Sequence, residues 1–285
     1  MSAHAPDIED PATLLAWQVA MGADEAIESD FVDRFSAVTS KPDNATASHS
    51  GSSVQQNSGN QIATNQSTGA RVVTAKPVQS IDGHGAESAQ TAANNADSLE
   101  ELRTAMSSFD GGLLKRSAKN LVFADGVAGS SLMIVGEAPG ADEDREGRPF
   151  VGVSGQLLDR MLNAAGLDRT KNVYISNILP WRPLGNRTPD TAVTEMCLPF
   201  IRRHIELANP KVILMLGGVS AKALLGTSDG ITKLRGKWKP LTIGSTSFTA
   251  LPAYHPAYLL RQPHLKGMAW RDLLAVKAKL SELDA

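Results

Sequence analysis

The sequence predicts an α/β fold, a three-layer α/β/α arrangement with a central, mostly parallel four-stranded sheet, preceded by a disordered N-terminal tail. Three observations carry this. Apolar runs that are rich in β-branched residues or bounded by turn signals, at 132–135, 173–178, 212–216 and 249–253, read as strands. Helical patterns at 99–108, 154–165, 190–207, 219–224 and 267–283 lie around and between them, and strands alternating with helices imply a parallel sheet covered on both faces by right-handed crossovers. Apart from one short helical stretch near its start, the first third of the chain lacks both patterns.

That first third divides in two. DPATLLAWQVAMGADEAI, residues 10–27, has an acidic start and apolar Leu14, Leu15, Val19 and Met21, as in a short amphipathic helix. It reads either as a marginal helix or as a docking peptide for another protein. From about 41 to 96 the chain is dominated by Ser, Thr, Ala, Asn, Gln and Gly with almost no large apolar residue, so burial cannot offset the entropy of ordering. The expected organisation is therefore a helix or interaction peptide at 1–36, a disordered linker at 37–97 and a catalytic domain at 98–285. The helical stretch is too short to span a membrane and lacks the basic start of a signal peptide.

A formal charge of −2 hides an asymmetry. Residues 1–97 carry 4 Lys/Arg against 12 Asp/Glu, and residues 98–285 carry 24 against 18. A mildly basic domain suits a few phosphates, but not a nonspecific polyanion coat. The single cysteine, Cys197, excludes an intramolecular disulfide and points to a reducing cytoplasm.

Chemistry is expected where the run at 132–135 breaks into a loop, in LMIVGEAPGADEDREGRPFVGVSGQLLDRML (132–162). Ligands of open α/β sheets bind beyond the carboxyl ends of the strands. The loop sets Glu137, Asp142, Glu143 and Asp144 near one aromatic, Phe150. Ser154 and Gly155 then open a helix whose free N–H groups suit a phosphate. Acid, flat ring and anion cradle together suggest a nucleotide. Because parallel strands point the same way, Glu137, Asn177 and His255, each at or just after a strand end, should share one pocket.

This loop and three further segments resemble the type-4 uracil-DNA glycosylases. VYISNILPWRPLGNRTPD (173–190) is similar to the family's second strand with its asparagine and following loop, VILMLGG (212–218) to its third strand, and HPAYLLRQP (255–263) to its HPSxLLR motif. Order and spacing agree over about residues 98–285. The resemblance implies a monofunctional glycosylase that removes uracil from DNA, single- or double-stranded, to start base excision repair. No lysine in these motifs is placed for a Schiff base. A monomer, no membrane, and a cytoplasmic location on the nucleoid complete the expectation.

The resemblance also implies roles. His255 donates to uracil O2, where preorganised donors supply about 3–4 kcal/mol to developing charge. Asn177 donates to O4 and accepts from N3–H, which one amide does at once. Phe150 stacks on the flipped base, with Gly136 and Ala138 beside it. Glu143 lies near the C5 edge and Glu137 holds the GE position, and either acid orients the water. An aspartate familiar from other glycosylases is replaced by Ala138, which fits a dissociative reaction with a poorly activated water. Leu259, Leu260 and Arg261 look like an intercalation loop. Ser154, Gly155 and Arg187 are candidates for phosphate contacts, Arg187 being equally readable as a structural cation near Glu137.

Type-4 enzymes typically hold an iron–sulfur cluster on four cysteines, and such clusters need thiolates. The matching positions here are Phe109, Gly112, Trp181 and Cys197. Three of the four ligands are missing, so no cofactor and no metal are expected, with Phe109 and Trp181 filling the space. Two other readings stay open. One is a noncatalytic or tight binder of uracil or abasic sites, although WRPLGNRTPD has neither a histidine nor an insertion to capture a sugar. The other is an unrelated nucleotide enzyme with a metal on the acidic loop, although no phosphate-loop or paired Cys/His spacing supports it.

Overall fold

A computed structural model of the chain describes residues 84–284. The expected helix at 10–27 and the expected linker up to 83 lie outside the described residues.

The core is a six-stranded sheet: β1 (Asp125–Gly126), β2 (Leu132–Gly136), β3 (Val173–Asn177), β4 (Val212–Leu216), β5 (Lys239–Ile243) and β6 (Thr246–Ala253), in the order β1-β3-β2-β4-β6-β5. The four expected strands are its parallel centre, β3-β2-β4-β6. The expected count of four is corrected to six by an antiparallel strand at each edge. Neither edge strand shows the apolar run of a strand buried on both faces. β1 has two residues, and β5 (KPLTI) alternates in burial and contains Pro240, which an edge tolerates because no ladder bond is lost on its outer side.

Side-chain alternation along the strands divides the core. Leu132, Ile134, Val173, Ile175, Val212 and Leu214 point to one face, against α5 (Val153–Ala164) and α10 (Lys266–Asp284). Met133, Val135, Tyr174, Ile213 and Met215 point to the other, against α6 (Thr191–Ala208) and α7 (Gly218–Leu225). Full burial of β2, β3 and β4 explains why they read as unbroken apolar runs. The three-layer expectation therefore holds.

A third, smaller cluster covers the outer side of α6. α1 (His84–Asn94) and α2 (Leu99–Ser108) bring Ala89, Ala93, Ala96, Leu102 and Met106 onto Phe200. Here the structure corrects the linker boundary of 97, since residues 84–94 form a packed helix. Ala89 and Ala93 are one turn apart, and their small side chains let the helix approach closely without a large apolar residue to announce it. Arg203 ties the junction by donating to the Ala96 carbonyl at 2.9 Å. Ser98 caps α2, accepting from Glu101 N–H, while the Glu101 carboxylate accepts from Asp97 N–H, a reciprocal cap.

The four cluster-matched positions lie around α3 (Gly112–Ser117), in the loop after β3 and on α6. Phe109 and Trp181 stack at 6.5 Å between centroids, and Phe109 meets the edge of Phe200 at 5.0 Å. Cys197 is fully buried in the same core as Trp181. Aromatic packing occupies this region.

Candidate active site

The parallel strands deliver their carboxyl ends to one cavity of about 460 Å³. Glu137 follows β2, Asn177 ends β3 and His255 follows β6, and all three line it together with Ala138, Glu143, Phe150, Ser154, Arg187 and Arg261. Gly136 lies just behind the wall. A Cβ built there would fall 2.4 Å from Asn177 Oδ1 and 2.6 Å from the Phe150 ring, so only glycine lets the two side chains close over the end of β2.

His255 is the N-cap of α9 (Pro256–Arg261), where its Nδ1 accepts from Ala257 N–H at 3.1 Å. An acceptor Nδ1 leaves the proton on Nε2. Burial pushes its pKa down to about 4, helped by the charge of Arg261 and opposed by Glu143, so near neutral pH the ring is an uncharged donor. It lies 5.4 Å from the Phe150 ring at an interplanar angle of 29°.

Asn177 is 5% exposed, and its Oδ1 has no hydrogen-bond partner. Among the described residues only one other buried side-chain atom, Arg202 Nε, shares that condition. Buried polar atoms are nearly always paired, so an orphan on a side chain that lines a cavity points to a partner outside the chain. Phe150, buried on the same cavity, is held at a φ of +54°.

The acids separate by their partners. Glu143 is buried and accepts from three backbone N–H groups: Gly140 at 3.0 Å on Oε2, and Val151 and Gly152 at 3.0 and 2.9 Å on Oε1. It therefore fastens the loop to the start of α5. Asp144 is likewise buried, accepting from Lys119 and Asn120 N–H, and Asp142 pairs with Arg145 at 2.7 Å. Glu137 is half-buried, and burial holds its carboxyl above the usual range.

The motif HPAYLLR divides by exposure. Leu259 is fully buried in the core, so the contact with DNA expected of it is not available to its side chain, while Leu260 is 38% exposed. The alternation follows from helical geometry, since adjacent residues of α9 point in different directions. Arg261 is exposed beside Tyr258, its guanidinium 5.9 Å from that ring. Gly155 is buried at the back of the cavity, where a Cβ would fall 1.9 Å from the Phe150 carbonyl oxygen. Ser154 alone of that pair faces the cavity. Arg187 is exposed on the rim and forms no ion pair with Glu137 among the described residues. Sequence reading missed Tyr258, Asn186 and Thr188, which also line the cavity. All three stand inside family-like segments, Tyr258 in 255–263 and the other two in 173–190, but nothing in residue type singles them out there.

The model of the uracil DNA glycosylase superfamily matches residues 123–274, which contain every residue of this cavity. The chain belongs to the uracil-DNA glycosylase superfamily. Among relatives within it, the type-4 uracil-DNA glycosylase of Pyrobaculum aerophilum is 38% identical over 179 residues, 61% of this chain and 91% of that protein. That of Saccharolobus solfataricus is 38% identical over 168 residues, 57% and 77% of the two chains. That of Thermotoga maritima is 40% identical over 144 residues, 50% and 72%.

Within the superfamily this chain cannot build the four-cysteine cluster site, because it contains one cysteine. The residues at the matched positions do not fit such a group. Burial pushes the Cys197 thiol up to about 12, far from the thiolate a metal needs. Its neighbourhood is aromatic and aliphatic, and no group of three or more metal-ligating side chains occurs among the described residues. Nor, among those residues, is any helix long and apolar enough to cross a membrane.

Proposed function

We propose that this domain is a monofunctional glycosylase that hydrolyses the N-glycosidic bond of deoxyuridine in DNA, the first step of base excision repair. The observation that carries the reading is Asn177, a buried amide side chain that lines the cavity and whose Oδ1 has no hydrogen-bond partner in the chain. Uracil N3–H satisfies it, while the Asn177 amide donates to O4. Cytosine offers a bare N3 and an amino group in those places, and sites built for hydrogen bonding reject such mismatches by about 10⁴–10⁵. The relatives' names, all type-4 uracil-DNA glycosylase, support the same substrate.

The residues then divide the work. Phe150 stacks on the base after it has been extruded from the helix, at a cost of a few kcal/mol that is smallest for unpaired uracil. As the N1–C1′ bond breaks, its electron pair leaves with uracil and charge builds on O2. The neutral Nε2–H of His255 donates to that oxygen. Water adds to the electron-poor C1′, and the proton it loses neutralises the uracil anion, giving an abasic sugar and free uracil. Glu137, whose burial favours proton uptake, is the acid better suited to orient this water, since both Glu143 oxygens are committed to backbone N–H groups. Leu260 fills the gap in the stack, with Arg261, Arg187 and Ser154 on the phosphates.

The test is EDTA-treated protein on uracil and cytosine oligonucleotides, followed by alkali to cleave abasic sites. Cleavage at uracil alone is expected, and Asn177→Asp should narrow the preference for uracil over cytosine. An oligonucleotide that is retarded but never cleaved would instead identify a damage binder.

A further inference from the structure

We infer that Arg169 is a positioning residue for the stacking ring of Phe150, acting from outside the cavity. The inference rests on the reading of Phe150 as the ring that receives the flipped uracil. Arg169 lies between α5 and β3 and is absent from the cavity wall. Its side chain is 11% exposed. One terminal nitrogen donates to the Phe150 carbonyl at 2.7 Å, and the other donates to the Pro149 carbonyl at 3.1 Å. That second nitrogen also meets Asp125 Oδ2 at 2.9 Å, and Nε donates to Asp159 Oδ1 at 2.7 Å. The guanidinium is thus aimed by two carboxylates, on β1 and α5, and spends two of its three remaining donors on two consecutive carbonyls.

Those carbonyls belong to a backbone that needs holding. Phe150 has a φ of +54°, and the other non-glycine residues with positive φ among the described ones are two asparagines, Asn186 and Asn209. Asparagine visits this region readily, whereas a bulky aromatic there is an outlier that surrounding structure must enforce. The enforcement is visible on both sides of the peptide. Gly155 packs so closely that a Cβ would fall 1.9 Å from the Phe150 oxygen, and the Arg169 fork takes the same oxygen. The turned backbone sends the ring toward His255 and the cavity. Only a planar fork with five fixed donors meets two carboxylates and two carbonyls at once; lysine supplies the charge without the geometry.

The test is steady-state excision of uracil by the full chain, well below its melting temperature, for the parent, Arg169→Lys, Phe150→Ala and the double variant. Free uracil as competitive inhibitor is a second readout. Arg169→Lys should raise KM and the uracil inhibition constant, lowering kcat/KM by roughly ten- to a hundredfold, the range of a lost base–aromatic stack. In the Phe150→Ala background the same substitution should cost less than about threefold, because residues acting through one another are not additive. If Arg169→Lys does not fold, Asp159→Asn, which removes only the carboxylate aiming Nε, should shift KM in the same direction by less. Full multiplication of the two effects, or a fall in kcat with KM unchanged, would overturn the positioning role and leave the glycosylase reading intact. A parent that excises no uracil overturns that reading first, and this role with it.

Discussion

The Nδ1 of His255 accepts the backbone N–H of Ala257 at 3.1 Å, so one residue of the cavity wall both caps α9 and is left with its proton on Nε2. With a pKa near 4 the donor keeps its form across ordinary pH. Excision should therefore show no acid limb from this group until the pH approaches 4. Replacing His255 with alanine should slow single-turnover excision by roughly a hundred- to a thousandfold, with a smaller effect on DNA affinity. A variant that excises at nearly the parent rate would remove His255 from the leaving-group role.

Gly136 makes a second prediction possible because the clash is so specific. A methyl at this position must displace Asn177 Oδ1, Phe150 or both, and neither can move without spoiling the base slot. Misplacement of about 1 Å near reacting groups costs on the order of a hundredfold. Gly136→Ala should lose that much kcat/KM on uracil-containing DNA while circular dichroism and the urea midpoint change little. A large drop in the midpoint with kcat preserved in the folded fraction would count against the reading.

The four central strands, five of the helices and the convergence of three strand-end residues were legible because burial on both faces writes an unbroken apolar run, and because parallel strands converge. The edges were not. β5 is short and contains Pro240, which demotes a strand in sequence, and α1 packs through Ala89 and Ala93, whose small side chains resemble linker composition. Within the site, motif position identified His255 and Asn177, but a motif does not say which way a side chain points. Thus Leu259 proved buried beside exposed Leu260, Gly155 proved a contact for the Phe150 carbonyl, and Glu143 proved bound to three amides. Arg169 was invisible for a related reason. It serves residues 19 and 20 positions away and carries no motif of its own.

Acid should destabilise the fold through a residue the reaction does not use. His204 is 1% exposed, bonded to the Tyr174 hydroxyl at 2.9 Å and stacked on Phe123 at 4.3 Å. Burial pushes its pKa down to about 3 from 6.5. Between those values the unfolded chain holds the proton and the folded chain does not. Stability is then full above pH 6.5 and falls as the pH drops toward 3, by up to about 1.4 kcal/mol per pH unit for one proton. His255, depressed to about 4, adds to the slope in the upper part of that window. Urea unfolding from pH 7 to 4 should show the decline, and His204→Gln, which keeps a partner for Tyr174 without titrating, should flatten it. An unchanged slope in that variant would assign acid sensitivity elsewhere.

The aromatic packing at the cluster-matched positions can be separated from metal dependence by pairing a substitution with a chelator. Trp181 is 2% exposed, stacked with Phe109, and has the Lys115 ammonium 5.8 Å from its ring. Removing such a side chain deletes its transfer energy and leaves a cavity that only partly collapses, at a cost of about 3–5 kcal/mol. Trp181→Ala should therefore lower the melting temperature by many degrees, whereas EDTA or bipyridyl should leave that of the parent unmoved. The joint result would mean that ring packing stabilises the region where four thiolates and a cluster would otherwise join α3, the loop after β3 and α6. A chelator-sensitive melting temperature would instead require ligands beyond the one cysteine, and Trp181 would then be a spectator to a metal site elsewhere in the chain.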